Sequence, residues 1–348
     1  MWSSERMIYF KHKCNLVLGC HYVIARLAIS CFLLFASAFS SQIHAQGVKR
    51  LLHRADSVLS YRYFHSDIDT NYIIRPTTKW TVLCRFNLSG STIRTEGFST
   101  AHFTSEVKAT NKGTASMGLG YMGLMASVAL NPAQLWGKYR DYEYNLNSYS
   151  NRTGFDIIYQ DAHNYSGWHE RENSERFEFP NDVLTMKTLN VNGYYAFNYR
   201  KFSYPAAFSQ SYIQKRSAGS LLLAASFQGQ KGTAEHVMKS KIKTFNIGIG
   251  AGYGYNWVPA RNWLFHISAL PTFIVYNHAS ITTDGDRKPI RYKFPEVIIT
   301  GRGAIVHQMK RFFAGASMVF NFTSIGDKDD AMLQNIKWRN RMFVGYRF

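Results

Sequence analysis

Between residues 244 and 257 the chain alternates without a break. Phe245, Ile247, Ile249, Ala251, Tyr253, Tyr255 and Trp257 fall on one side, and Thr244, Asn246, Gly248, Gly250, Gly252, Gly254 and Asn256 on the other. Successive side chains of an extended strand point to opposite faces, so this segment reads as a strand with one greasy face and one small or polar face. After a turn at residues 258–261 the pattern resumes, with Trp263, Phe265, Ile267, Ala269, Phe273 and Val275 against Asn262, His266, Ser268 and Thr272. The last segment sets Trp338, Met342, Val344, Tyr346 and Phe348 against Lys337, Arg339, Arg341, Phe343 and Arg347.

Beyond residue 46 the longest clean apolar run is about 221–225, too short for a membrane helix. A chain of this kind crosses a bilayer only as a closed barrel, because every backbone N–H and C=O must find a partner inside the lipid. A soluble sandwich alternates too. What favours a membrane is the conjunction of an export leader, aromatics at strand ends, long segments and the terminal Phe348, with Tyr346 before it, as a signal for barrel assembly. Aromatics make up 16% of residues and charged residues only 18%, against roughly 25% charged in ordinary soluble domains.

Twelve segments alternate: 79–88, 92–104, 114–130, 140–150, 154–163, 185–199, 212–228, 243–257, 262–277, 294–308, 311–323 and 335–348. Bacterial barrels have even strand numbers, short periplasmic turns and longer outer loops. If the first strand runs outward, turns follow even-numbered strands. The tightest connections follow strands four, eight and ten, and the long polar stretches 164–184, 278–293 and 324–334 follow strands five, nine and eleven. The expected fold is therefore all-β, a transmembrane antiparallel up-and-down barrel of about 12 strands, occupying residues 79–348.

Residues 1–45 read as a signal peptide, with Lys11, Lys13 and Arg26, an apolar run over 27–39, and Ala45 before Gln46 as the cleavage site. Cys14, Cys20 and Cys31 lie in this leader, leaving Cys84 alone in the mature chain and no disulfide framework. Cleavage removes Arg6, Lys11, Lys13, Arg26 and Glu5 from totals of 41 basic and 22 acidic residues, leaving 37 against 21, a formal +16. That balance points to anionic partners. Nucleic acid is set aside, because the charges form no basic tail or helix and the chain is exported. The domain plan places an amphipathic helix and an extended lead-in over 46–78, the helix carried by Val48, Leu51, Leu52, Ala55, Val58 and Leu59.

No motif rises above its bland reading. Gly118-Leu-Gly-Tyr-Met-Gly123 spells a dinucleotide fingerprint, but without the strand, helix and parallel sheet it requires. Asp284, Asp286, Asp327, Asp329 and Asp330 offer oxygen ligands for calcium in outer loops, at no defined spacing. A lipid hydrolase would need a Ser nucleophile, such as Ser209 or Ser211, beside a His base. His163, His169, His236, His266, His278 and His307 are candidates, yet nothing pairs a given Ser with a given His. No catalytic, cofactor or metal residues are expected.

Residues 193–220, GYYAFNYRKFSYPAAFSQSYIQKRSAGS, together with Asp69-Thr-Asn-Tyr-Ile73 and Pro76, resemble the signature of a Bacteroidales outer-membrane family catalogued as a domain of unknown function. The resemblance spans about residues 67–348. It implies an outer-membrane barrel in a Gram-negative bacterium and no activity. The signature falls between strands six and seven, where parity puts a periplasmic connection. It is too rich for a mere turn: Phe202, Tyr204 and Phe208 offer packing and Ser209, Gln210, Gln214 and Arg216 hydrogen bonds, with Pro205 among the signature residues. The expectation is a structured turn folded into the lumen.

Two functions stay open. One is a narrow, anion-preferring channel or solute-binding pore, lined by the inward Lys337, Arg339, Arg341 and Arg347. The other is a lipid-modifying enzyme or surface-interaction barrel. Expected partners are outer-membrane lipids and lipopolysaccharide, the barrel-assembly machinery and anionic small solutes.

Overall fold

The alternating segments are strands in the computed structural model, which describes residues 54, 56–58, 60, 61, 67–97, 102–122, 124–130, 142–163, 165–172, 174–179, 184–234, 240–283, 286–290, 296–326 and 331–348. The strands are β1 (Ile73–Ile74), β2 (Trp80–Gly97), β3 (Phe103–Ala109), β4 (Lys112–Tyr121), β5 (Leu124–Leu130), β6 (Tyr142–Tyr149), β7 (Thr153–Ala162), β8 (Tyr165–Arg171) and β9 (Phe177–Phe179). There follow β10 (Thr185–Ala196), β11 (Ile213–Gln214), β12 (Ala218–Ala234), β13 (Ser240–Trp257), β14 (Trp263–Thr283), β15 (Asp286–Ile290), β16 (Glu296–Gln308), β17 (Phe312–Gly326) and β18 (Ala331–Arg347).

Among the described residues twelve strands form one antiparallel ring, in the order β2, β4, β5, β6, β7, β10, β12, β13, β14, β16, β17 and β18. Pairing of β18 with β2 from Arg347↔Thr81 to Ala331↔Gly97 closes it, and Trp80 and Phe348 exchange backbone hydrogen bonds of 3.1 and 3.0 Å at the foot of that seam. Among the described residues β5 and β6 pair through Leu124↔Ser148 and Met125↔Asn147.

The faces are inverted relative to a soluble protein. Ile267 is 70% exposed and Met342 67%, with Ile249, Leu221 and Val344 also pointing outward, while Asn256, His266, Thr272 and Arg347 are buried inside. Large apolar side chains outside and polar ones within are what a bilayer selects, so this is a transmembrane β-barrel. β13 has 18 residues and β14 has 21, well beyond the roughly 9–11 a tilted strand needs to cross hydrocarbon. The surplus stands at the end where the long connections lie.

That surplus corrects two sequence expectations. Residues 164–184 are not simply a loop, since β8 pairs with β3 and β9 with β8. Residues 278–293 include the end of β14 and its partner β15. The described parts of both segments pair beyond the apolar belt, where polar residues suit a strand. A third correction concerns the first strands. The segments 79–88 and 92–104 are not two strands, because β2 runs unbroken through Ser89-Gly90-Ser91, its first half pairing β4 and its second half β3. The segment 114–130 is two strands, β4 and β5, separated at Met122, whose φ of 46° makes the reversal. The two errors cancel, which is why twelve and the parity of turns survive.

The expected cleavage site, Ala45 and Gln46, lies outside the described residues. Within the expected helix, Arg54, Asp56, Ser57, Val58, Ser60 and Tyr61 are helical.

Candidate functional site: a plugged, cationic lumen

The connection between β10 and β12 does not project from the barrel. Its centre is a short helix, Tyr204–Phe208, with all five residues buried. Ser203 starts the helix, its Oγ accepting from the Ala206 N–H at 3.2 Å, and Pro205 occupies the first turn, where its missing N–H costs nothing. Ser209 caps the helix and Gln210 beyond it adopts the left-handed region at φ 54°, both N–H groups donating to the Pro205 carbonyl. Around it the barrel turns inward the large apolar residues Leu83, Leu222, Leu264, Val306, Phe313 and Phe343. These pack with Phe202, Tyr204 and Phe208 into one core, so the lower lumen is filled like a protein interior.

A buried polar network bolts the plug to the wall. His266 donates from Nδ1 to Asn256 Oδ1 at 2.7 Å and accepts at Nε2 from Ser268 at 3.0 Å. Asn256 donates to the Ser203 carbonyl at 2.8 Å and to Gln214 Oε1 at 3.0 Å. Gln214 also accepts from the Ser203 N–H and donates to the carbonyls of Lys201 and Arg216 at 2.6 and 2.8 Å. From β18, Arg347 donates to Gln308 Oε1 at 3.0 Å and to the Gln210 carbonyl at 2.8 Å, with its guanidinium over the Phe313 ring. The two stretches that carry the family resemblance meet here. β1 pairs with β11 through Ile73↔Gln214 and Ile74↔Ile213, and Arg75 donates to the Tyr212 hydroxyl. Burial pushes the Tyr212 phenol up, and Arg75 pulls it back down.

Above the plug lies a cavity of about 220 Å³ whose floor is formed by Tyr149, Tyr194, Tyr204, Phe208 and Arg302. Arg302 spans the floor, with its charge 5.7 Å from the Tyr204 ring centroid and its Nη2 3.5 Å from Asp156. The Tyr149 hydroxyl donates to the same carboxylate. The wall carries Lys112, Lys337, Arg339 and Arg341, so the described lining holds five cationic side chains and a single carboxylate, Asp156, which Arg302 engages. Fifteen of the other lining residues are Ser, Thr, Asn or Gln, interspersed with apolar ones such as Ile158, Leu270 and Ile298.

Of the basic residues singled out in the sequence, Lys337, Arg339 and Arg341 line this cavity, while Arg347 is sealed in the plug core at 1% exposure. Tyr204, Pro205, Ser209, Gln210 and Gln214 are buried in the plug; Arg216 is exposed and reaches over the Tyr72 ring. Tyr346 stacks on Phe348 on the outer face. Arg302, Asp156 and Lys112 escaped the sequence reading, since single charges within polar alternation look like any inward residue. Ser268, His266 and Asn256 are placed as nucleophile, base and orienting amide would be. The Ser–His spacing of two on one strand face was legible, but Asn256 required the β13–β14 register, Asn256↔His266. All three point into the core, away from lipid and beneath the plug. Gly118 and Gly120 belong to wall strand β4, and β5 follows rather than a helix, which excludes the dinucleotide motif. Asp284, Asp327, Asp329 and Asp330 lie outside the described residues.

A search of curated proteins finds no match. Among solved structures, the outer membrane protease OmpT of Escherichia coli is 9% identical, with a TM-score of 0.39, covering 78% of this chain and 97% of that one. The transport unit of the Escherichia coli autotransporter AIDA-I is 12% identical, with a TM-score of 0.33 over 84% and 97%. The outer membrane protein OprG of Pseudomonas aeruginosa is 8% identical, at 0.27 over 80% and 99%. The family model of the domain of unknown function DUF4421 matches residues 67–348, from the lead-in that pairs with the plug to the strand that closes the ring, and the chain belongs to that family.

Proposed function

We propose that the protein is an outer-membrane barrel whose lumen is a binding chamber for anionic solutes, open toward the long-connection end and shut at the short-turn end by the plug. The observation that carries this reading is the cationic lining directly above a filled lower lumen. In a low-dielectric shell such a charge excess concentrates anions, and a shut floor turns passage into capture. Short turns face the periplasm in bacterial barrels, which puts the chamber mouth outside the cell. The lipid-enzyme alternative finds less support, because the Ser268–His266–Asn256 chain faces inward and Tyr204 packs against the His266 ring.

The test is conductance in planar bilayers. The mature barrel should be nearly silent, and a variant with residues 200–215 replaced by a short Gly/Ser turn should conduct with preference for anions, once its heat-modifiable gel mobility shows that it folds. Equal conductance of both proteins would mean that the plug does not close the lumen. Cation preference in the opened variant would remove the charge argument.

A further inference from the structure

We propose that the chamber's ligand is a short acidic oligosaccharide, a linear string of hydroxyl-bearing rings with carboxylates at intervals; this rests on the anion-chamber reading above. The first ground is the arrangement of the cations. Lys337, Arg339 and Arg341 project from one face of β18 at every second residue, which spaces them by roughly 6.6 Å along the strand. Lys112 extends the middle rung sideways, because Arg339 pairs with Ser89 and Ser89 with Lys112. A compact anion such as phosphate meets one rung of this ladder. Only an extended anion with repeated charges meets several.

The second ground is the wall facing the ladder. Thr188, Asn190 and Asn192 line the cavity from β10, and Ser226 and Gln228 from β12. Hydroxyls and amides both donate and accept, whereas a carboxylate asks for donors alone. A surface of mixed donors and acceptors suits a ligand that also donates, and sugar hydroxyls do. Asn335 gives the sharpest form of this argument. It is 7% exposed, lines the cavity two residues from Lys337, and its Oδ1 accepts no hydrogen bond from the protein. A buried acceptor calls for a donor. A carboxylate cannot satisfy it, and a ligand hydroxyl can.

The experiment is calorimetric titration of the folded mature chain in detergent with trigalacturonate, maltotriose and inorganic phosphate. Trigalacturonate should bind about tenfold or more tighter than either of the others, and Arg339→Gln/Arg341→Gln should weaken it by about a hundredfold, the loss expected when two charge-assisted contacts of roughly tenfold each go. Added salt should weaken trigalacturonate binding to the wild type, a measurement that needs no variant to fold. If phosphate binds as tightly as trigalacturonate, the chamber accepts any anion: the oligosaccharide assignment falls while the anion chamber stands. If maltotriose does as well, or salt has no effect, the ladder is not the recognition element and the assignment falls. If neither anion binds, the anion-chamber reading falls with it.

Discussion

His266 is the side chain on which plug and wall most depend. Its two ring nitrogens serve Asn256 and Ser268, and rings of Phe202, Tyr204 and Phe208 surround it. His266→Ala leaves a buried carbonyl oxygen and a buried hydroxyl without that partner and opens a cavity beneath the plug. Each stranded polar group costs about 1–3 kcal/mol, so the midpoint of guanidinium unfolding should drop clearly. Ser268→Ala removes one donor and should cost less. The same pair tests the acyl-transfer geometry: a serine-directed fluorophosphonate should leave Ser268 unmodified in the folded barrel, because the plug covers it. Labelling that disappears in Ser268→Ala would revive an enzymatic reading.

At the scale of strands, the seam between β2 and β18 makes the clearest demands. Trp338 lies across Gly90, where an added Cβ would come within 2.7 Å of the indole. Gly90→Val should therefore impair assembly, read as lost heat-modifiability on gels, while Gly229→Ala, which meets nothing within 4 Å, should not. On β18 the two faces are opposed. Val344→Arg puts a charge toward lipid at about 2–4 kcal/mol near the midplane, whereas Arg339→Gln/Arg341→Gln, on the inward face, gives up the Arg341–Asn87 hydrogen bond but no backbone pairing and should fold. The reverse result would turn the barrel inside out. The same seam shows what was legible in the chain. Two-residue alternation is imposed by the bilayer and by the strand itself, so faces could be read without coordinates. Ser89-Gly90-Ser91 looked like a turn because Ser and Gly mark turns, although here Gly makes room for a tryptophan from the neighbouring strand. The break at Met122 was hidden for the converse reason, since an apolar residue makes it. Within the site, the cations of β18 stood out as a run. Arg302, Asp156 and Asn256 did not, because what joins them is register across strands far apart in sequence, and local pattern carries no register.

For the molecule as a whole, the decisive prediction is where it resides. The mature chain, beginning at Gln46, should fractionate with outer membranes and run faster unheated than boiled; recovery from the cytosol with residues 1–45 attached would overturn the location. The closed ring also constrains when the protein becomes itself. Arg341 bonds Asn87 across a sequence separation of 254 residues, and every backbone pair along that seam joins the two ends of the barrel sequence. Hairpins between consecutive strands can zip as soon as both are made, but this joint waits for the final residues and bears nearly the full entropy of closing the chain into a loop. Growth of the barrel is thus gradual and its completion abrupt. A chain cut short by a single strand does not yield a slightly smaller barrel; it leaves two raw strand edges in lipid, the one arrangement a bilayer does not tolerate.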